Sequence, residues 1–321
     1  MQAHSLKTAI VFSCDENYIA LAKGLVLSLR ALGYPRQGFD LVLIDIGCSQ
    51  KSLNWLEANE VVLRSLKTDL IPETILSVIE PYQRALVMRP WLPEILEGYD
   101  LYIWFDADTW LQSDDVIKVI SGSQKIIPER LFIAPGISHY NASLYENMEK
   151  LVQMQELWFS TCYQGNPSSI AFSKKLHYSC GVFGLSRSSP VWNLWKEEIT
   201  ETYPLVAERN RSLLHLAEQT ALNYIIHRDN TLFARIDPLF NFHCNSGGAM
   251  RLPNGDVTAF TVVPVRRIGV IHLANWSYYA NNYMEENLLF RSGDYLTSEE
   301  RLSALRNALD KPVRRDRFRL S

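Results

Sequence analysis

The chain predicts a doubly wound α/β fold on a mainly parallel sheet with helices on both faces, and three observations predict it. Apolar runs at 7–13, 39–46 and 100–105 alternate with helix-patterned segments over the first third of the sequence. The last of these runs, Leu101-Tyr-Ile-Trp-Phe105, is continuously apolar and reads most simply as a buried strand. It closes on Asp106-Ala107-Asp108, so two carboxylates emerge at the lip of the sheet, where ligands of open α/β proteins bind.

Each element has its own justification. Residues 7–13 form a buried strand, and a helix over 18–32 puts Leu21, Leu25, Leu29 and Leu32 on one face. A second strand spans 39–46, a helix 54–60 and a short strand 61–63. The helical pattern of 81–96 is interrupted by Pro90 and Pro93. Beyond the Asp pair the pattern is more mixed. A strand is expected at 131–134, a helix at 145–159, a loop at 160–169 and a strand at 182–185. Helices follow at 190–202 and 212–227, the second with an apolar stripe of Leu213, Leu216, Leu222, Ile225 and Ile226. A strand over 267–273 ends near His272. Thr297 with Glu300 forms a capping box for a last helix ending near Asp310. No repeat, low-complexity stretch or linker divides the chain.

Composition narrows the function classes. With 321 residues and 47% hydrophobic content the chain supports a large core and is not disordered. A net charge of −3 gives no global attraction to nucleic acid. No apolar stretch approaches bilayer length, and the short polar segment 1–7 does not resemble a signal peptide. Five scattered cysteines (Cys14, Cys48, Cys162, Cys180, Cys244) read as a reduced, cytoplasmic setting. Of the Asn-X-Ser sequons at Asn141, Asn210 and Asn275, the last falls in a segment read below as part of the site, so it is expected to be unmodified.

An Asp-X-Asp triplet alone is weak, since one arises by chance about once in a chain of this size. Its company carries more. Asp15 and Asn17, at the end of the first strand, can hydrogen-bond a base and ribose, and Tyr18 can stack on a pyrimidine. A helix cap with a core tyrosine is the plainer alternative. Arg84, in Pro81-Tyr-Gln-Arg84, offers a guanidinium fork suited to phosphate oxygens, or a surface ion pair with Glu80. Asp106 and Asp108 offer hard oxygen ligands for a divalent cation that neutralises a diphosphate, or merely cap a turn.

These segments, with Glu218-Gln219 and Asn223 on a helix and with His272-Leu-Ala-Asn275-Trp276, occur in one order. Together they resemble glycosyltransferases of the GT-A fold, family 8 in particular, from about residue 8 to 276. The resemblance implies a nucleotide-binding half over 1–115, an acceptor-side half over 116–290 that completes one domain, and a C-terminal helix and tail over 291–321. It implies Mn²⁺ or Mg²⁺ on Asp106, Asp108 and His272, with a core histidine as the alternative for His272. The implied donor is a UDP-sugar whose nucleotide meets Asp15, Asn17, Tyr18, Arg84, Asp106, Ala107, Ser179, Gly181, Asn275 and Trp276. Glu218 and Gln219 would face the donor sugar as catalytic residues, with a solvated helix face as the alternative. Transfer to a hydroxyl of a saccharide, lipid-linked glycan or protein acceptor is implied, with retention at the anomeric carbon.

Two departures stand out. The family's Asn-Ala-Gly is here Ser179-Cys-Gly181, and its lysine after His272 is missing, leaving Arg266, Arg267 and Arg291 as stand-ins. Asp237-Pro-Leu-Phe-Asn241-Phe242 resembles a segment beside the acceptor pocket, or is a buried turn. The basic end, with Lys311, Arg314, Arg315, Arg317, Arg319 and Phe318, suits either anionic lipid or solvent. The rivals are a catalytically impaired nucleotide-sugar-binding protein and an Asp-X-Asp phosphatase, which would want Thr or Val where Trp110 stands. Gly-rich phosphate loops and Gly-X-Ser-X-Gly elbows are missing. A zinc site from His177, Cys180, His243 and Cys244 lacks ligand spacing.

Overall fold

The computed structural model of the chain describes residues 6–136, 148–243, 249–251, 257–259 and 266–273. Asn275, Trp276, Arg291, Cys244, the Asn141 sequon, the side chain of Arg266, and the last helix and basic tail lie outside the described residues. Strands β1 (Thr8–Cys14), β2 (Phe39–Asp45), β3 (Val61–Ser65), β4 (Leu101–Phe105), β5 (Thr109–Leu111), β6 (Leu131–Pro135), β7 (Tyr178–Ser186) and β8 (Phe233–Arg235) follow one another along the chain. All but β5 join one sheet in the order β3-β2-β1-β4-β7-β6-β8. Only β7 runs against its neighbours, antiparallel to β4 and β6; the other pairings are parallel.

Alternation along the central strands splits the core in two. Ala9 and Val11, Val42 and Ile44, Tyr102 and Trp104 point to one face. Ile10 and Phe12, Leu41 and Leu43, Leu101, Ile103 and Phe105 point to the other. Strands buried on both faces need continuous apolar sequence, which is why these three runs were visible. The helices are α1 (Ile19–Ala31), α2 (Gln50–Ala58), single turns α3 (Glu73–Leu76), α4 (Arg84–Val87) and α5 (Leu92–Ile95), then α6 (Asp115–Gln124), α7 (Met148–Cys162), α8 (Pro167–Ser173), α9 (Val191–Asn210) and α10 (Leu214–Arg228). Helices α1 and α6 cover the second face through Leu25, Val26, Leu29, Val116, Ile117 and Ile120. Helices α9 and α10 cover the first through Trp195, Ile199, Tyr203, Ala217, Ala221 and Ile225. Helix α6 lies flush on the sheet because β7 carries Gly184 beneath it; a Cβ there would stand 2.2 Å from Ile120 Cγ2.

Several expectations are corrected. The helix expected at 54–60 starts at Gln50, because Ser49 Oγ accepts from Ser52 N–H and caps it. The expected loop at 160–169 is largely helical: α7 runs on to Cys162, and α8 opens on an Asn166 cap and Pro167. The expected strand at 182–185 is the longer β7, an inner strand paired on both sides. Helix α9 does not stop at residue 202 but runs through Pro204 to Asn210, its buried face of Ile199, Tyr203 and Val206 continuing across the proline. Segment 81–96 is broken into single turns rather than one interrupted helix, as Pro90 and Pro93 dictate.

Two small sheets complete the described fold. β9 (Phe242–His243), β10 (Ala249–Arg251), β11 (Val257–Ala259), β12 (Arg266–Arg267) and β13 (Val270–His272) supply them. One is the antiparallel β10-β11-β12; the other is β5-β13-β9. The second decides where the site lies.

Candidate metal centre

The chain leaves β4 in a tight turn. Asp106 N–H donates to the Gly181 carbonyl of β7 (2.8 Å), and Thr109 returns its N–H and Oγ1 to the Asp106 carbonyl (3.0 and 2.8 Å). That turn leads into β5, which pairs antiparallel with β13 so that Thr109 faces His272. Leu273 N–H donates to the Asp108 carbonyl at 3.0 Å. Backbone bonds therefore fix the imidazole beside both carboxylates.

The three ligand groups converge. His272 Nε2 lies 3.2 Å from Asp108 Oδ1 and 3.7 Å from Asp106 Oδ2, and all three ligand atoms fall within 4.8 Å of one another. His272 Nδ1 meets Asn241 Oδ1 at 2.8 Å. An amide oxygen only accepts, so Nδ1 carries the proton and the Nε2 side faces the carboxylates. Burial lowers the His272 pKa, but Asp108 and then Asp106 outweigh it and hold the ring above its ordinary value. That shift marks a point where positive charge is favoured. Gly181 makes the space: a Cβ at that position would lie 2.3 Å from His272 Cε1 and 3.2 Å from Asp106 Oδ2. Two carboxylates and one oriented imidazole fit a divalent ion of the Mn²⁺ type. Among the described residues no other group of three or more His, Cys, Asp or Glu side chains converges in this way. His177, Cys180 and His243 of the zinc grouping do not converge in this way, and its Cys244 lies outside the described residues.

A buried arginine stands behind the candidate metal ligands. Arg84 lies half-buried on α4, and no ion pair joins it to Glu80 among the described residues. Glu80 instead forms a capping box with Gln83. The guanidinium that reaches the site is Arg89, between α4 and α5. Its Nη2 donates to Asp106 Oδ1 and its Nη1 to Glu218 Oε2 at 3.1 Å. Trp104 Nε1 donates to the same Asp106 oxygen at 2.7 Å, and the guanidinium carbon stands 5.0 Å from the Trp104 ring centre. One Asp106 oxygen is thus held by Arg89 and Trp104 while the other faces His272. Burial opposes the Arg89 charge, but Asp106 and Glu218 more than offset it, so the guanidinium stays ionised. Glu218 has its carboxyl pushed up to about 7 by burial, with Arg89 opposing and Asp106 adding to the shift. Sequence reasoning missed Arg89, although a signal was present. An arginine inside Leu-Val-Met-Arg-Pro-Trp-Leu is a buried charge, and a buried charge needs partners.

Helix α10 is stitched to β7, which removes the alternative of a solvated face for Glu218 and Gln219. Glu218 and Asn223 are buried. Gln219 Oε1 accepts from Cys180 N–H at 3.1 Å, and Asn223 exchanges two hydrogen bonds with the Tyr178 backbone, both at 2.8 Å. Ser179 and Gly181 sit on β7 itself. Ser179 Oγ accepts from Gly181 N–H (3.3 Å) and lies 3.2 Å from His243 Nε2. Asn241 Nδ2 donates to the Ser179 carbonyl at 3.4 Å. Asn241, just before β9, and His243, within it, therefore join the cluster, and of the two only Asn241 lies in the segment from Asp237 to Phe242. Arg267 donates to the Gln112 carbonyl at 2.8 Å. Ala107, between the two ligands, is buried.

The segment Asp15 to Tyr18 lies at the same edge of the sheet, where β1, parallel to β4, gives way to α1. Asp15 caps this turn, accepting from Asn17 N–H (2.9 Å), Asn17 Nδ2 (3.0 Å) and Tyr18 N–H (3.2 Å). Helix α1 itself opens on Tyr18 without a side-chain cap, so the plainer alternative of a helix cap with a core tyrosine is not found, and Tyr18 is 41% exposed.

No protein-family profile and no curated protein matches the chain. Solved structures do. A crystal structure of the galactosyltransferase LgtC with donor and acceptor sugar analogues superposes with a TM-score of 0.51 at 13% identity, covering 93% of this chain and 95% of that one. Mouse xyloside xylosyltransferase 1 in its apo form gives 0.47 at 14% identity, covering 83% and 96%. Sheet order, the single reversed strand and the near full-length likeness to LgtC agree: this chain has the GT-A glycosyltransferase fold.

Proposed function

We propose that the protein is a metal-dependent glycosyltransferase that takes a sugar from a nucleotide-diphosphate donor, UDP-linked, and passes it with retention to a hydroxyl acceptor. One observation carries this reading: Asp106, Asp108 and His272, from two different sheets, converge within 4.8 Å at the carboxyl edge of the main sheet. A divalent ion held there supplies Lewis-acid neutralisation of the departing diphosphate. The protein's part is preorganisation. Arg89 and Trp104 fix one oxygen of Asp106, Asn241 fixes the His272 tautomer, and neither ligand has to reorient when the donor arrives. Tyr18 and Asp15 offer an exposed ring and a polar turn to the base and ribose. Glu218 acts through Arg89, and Gln219 through its hold on β7, to shape the wall assigned to the donor sugar. With Glu218 committed to Arg89, a same-face displacement, in which the leaving phosphate accepts the acceptor's proton, is favoured over a carboxylate nucleophile.

The test is thermal unfolding with a panel of nucleotide sugars, with and without Mn²⁺, followed by NMR of the anomeric centre of any product. A ligand at a hundred times its Kd stabilises the folded form by about 2.7 kcal/mol. UDP-sugars with Mn²⁺ should raise the midpoint, and the product should keep the donor's anomeric configuration. Binding without turnover supports the impaired nucleotide-sugar binder instead. No Mn²⁺-dependent shift with any nucleotide overturns the proposal, and an inverted product overturns retention. No described helix is long and apolar enough to cross a membrane. The basic tail is proposed as the contact with anionic lipid, and a cytoplasmic location goes with it.

A further inference from the structure

The turn that carries Asp15 is joined to its neighbour by a pair of thiols. Cys14 closes β1 and Cys48 follows β2, and their sulfurs are 3.7 Å apart. Several bonds hold the two loops in place around them. Ile46 N–H donates to the Cys14 carbonyl (3.4 Å), and Glu16 N–H to the Gly47 carbonyl (3.2 Å). Glu16 accepts from Ser49 N–H (2.7 Å) and Ser52 Oγ (3.0 Å). Asp45 Oδ1 accepts from Gly47 N–H (2.9 Å) and Cys48 N–H (2.8 Å). Gly47 adopts φ 135, a left-handed value that a side chain would resist, and its carbonyl-bearing turn brings Cys48 back toward β1. Cys14 is buried and Cys48 is half-buried, so one thiol is reachable and the other waits behind it.

We propose that Cys14 and Cys48 are a peroxide-oxidisable dithiol whose closure weakens nucleotide binding at the Asp15–Tyr18 turn; the second half rests on the nucleotide reading above. The chemistry balances with a hydroperoxide as oxidant. The Cys48 thiol is oxidised to a sulfenic acid while the peroxide O–O bond breaks and an alcohol, or water from hydrogen peroxide, leaves. The Cys14 sulfur then attacks Cys48 sulfur, its proton leaves with the hydroxide as water, and the disulfide remains. The hydrogen bond to Cys48, burial, and the Asp15 and Asp45 charges all hold the Cys14 thiol protonated until that second step. Bonding brings the sulfurs from 3.7 Å to about 2.05 Å. Cys14 is bonded directly to Asp15, so that contraction pulls on the turn that presents Asp15, Asn17 and Tyr18.

The experiment treats the full chain with hydrogen peroxide, maps non-reduced peptides by mass spectrometry, and measures UDP binding with Mn²⁺ by calorimetry. A Cys14–Cys48 peptide should appear at near stoichiometric yield. UDP affinity should fall by at least ~5-fold, the low end of ordinary allosteric coupling, and return with dithiothreitol. Cys48→Ser should bind UDP as the reduced protein does and ignore peroxide. Absence of the linked peptide, or a linked protein with unchanged UDP affinity, overturns the proposal. If the reduced protein binds no UDP, the nucleotide reading and the gating fail together, and the peptide map alone decides whether the pair is a dithiol.

Discussion

Replacing Gly181 by alanine tests the metal centre at its tightest point. The added Cβ would stand 2.3 Å from His272 Cε1 and 2.7 Å from its Nδ1. Carbon atoms in contact want ~3.5 Å, so the ring must retreat by about 1.2 Å or β7 must bulge. Metal–ligand bonds tolerate only ~0.2 Å of error, so a retreat of that size takes Nε2 out of the coordination sphere and strains its anchor on Asn241. Losing a ligand's orientation typically lowers metal affinity by about 10–100-fold. The overpacking itself should destabilise the fold by about 1–3 kcal/mol. Gly184→Ala separates the two effects. Its Cβ meets Ile120 Cγ2 at 2.2 Å, a clash of the same size on the same strand, against α6. Calorimetric titration with Mn²⁺ and urea unfolding of both variants make the comparison. Both should lose stability, and only Gly181→Ala should lose Mn²⁺ affinity. If Gly181→Ala binds Mn²⁺ like the wild type, His272 is not a ligand and the proposed chemistry fails.

Two further predictions rest on buried charge. Arg89→Met leaves Glu218 and Asp106 without their counter-ion and should cost about 3–5 kcal/mol in urea unfolding, while adding Glu218→Gln should recover part of that loss; a loss below ~1 kcal/mol, or strictly additive losses, refutes the triad. His177 is buried with no partner for its Nε2 among the described residues, and burial, with His227 adding, pushes its pKa down to about 3. The folded state therefore binds fewer protons than the unfolded one between pH 6.5 and 3: stability is full above 6.5 and falls as pH drops through that window. By pH 5 the His177 share is about 2 kcal/mol, so His177→Phe should flatten the decline of the urea midpoint between pH 7 and 5, and an unchanged slope refutes it.

The fold was legible where burial on both faces forces continuous apolar sequence. β1, β2 and β4 read directly, and so did the Asp pair, since the exit of a central strand is where polarity returns abruptly. The ends of elements were less legible because caps set them. Ser49 and Asn166 open helices inside stretches that read as loop or late helix. β5 and β9 are two or three residues long, too short for any periodicity to show. The strand expected over 267–273 is split into β12 and β13, and β13 delivers His272, whose place beside the Asp pair only the family pattern suggested.

What sequence hid most fully was the charge balance. Asp106, Asp108 and Glu218 lie within one connected group whose single permanent counter-charge among the described residues is Arg89. Three carboxyl groups face one guanidinium in a largely buried setting, where an unpaired charge is costly. Asp108 and Asp106 hold the His272 ring above its ordinary value against burial, and burial pushes the Glu218 carboxyl up to about 7. A divalent cation bound there would offset the acidic excess. Arg89 accordingly serves less as a donor to substrate than as the positive charge that holds half-buried Asp106 and buried Glu218 together. A lysine there could not take its place, because one Nζ cannot span Asp106 and Glu218 as the two guanidinium nitrogens do.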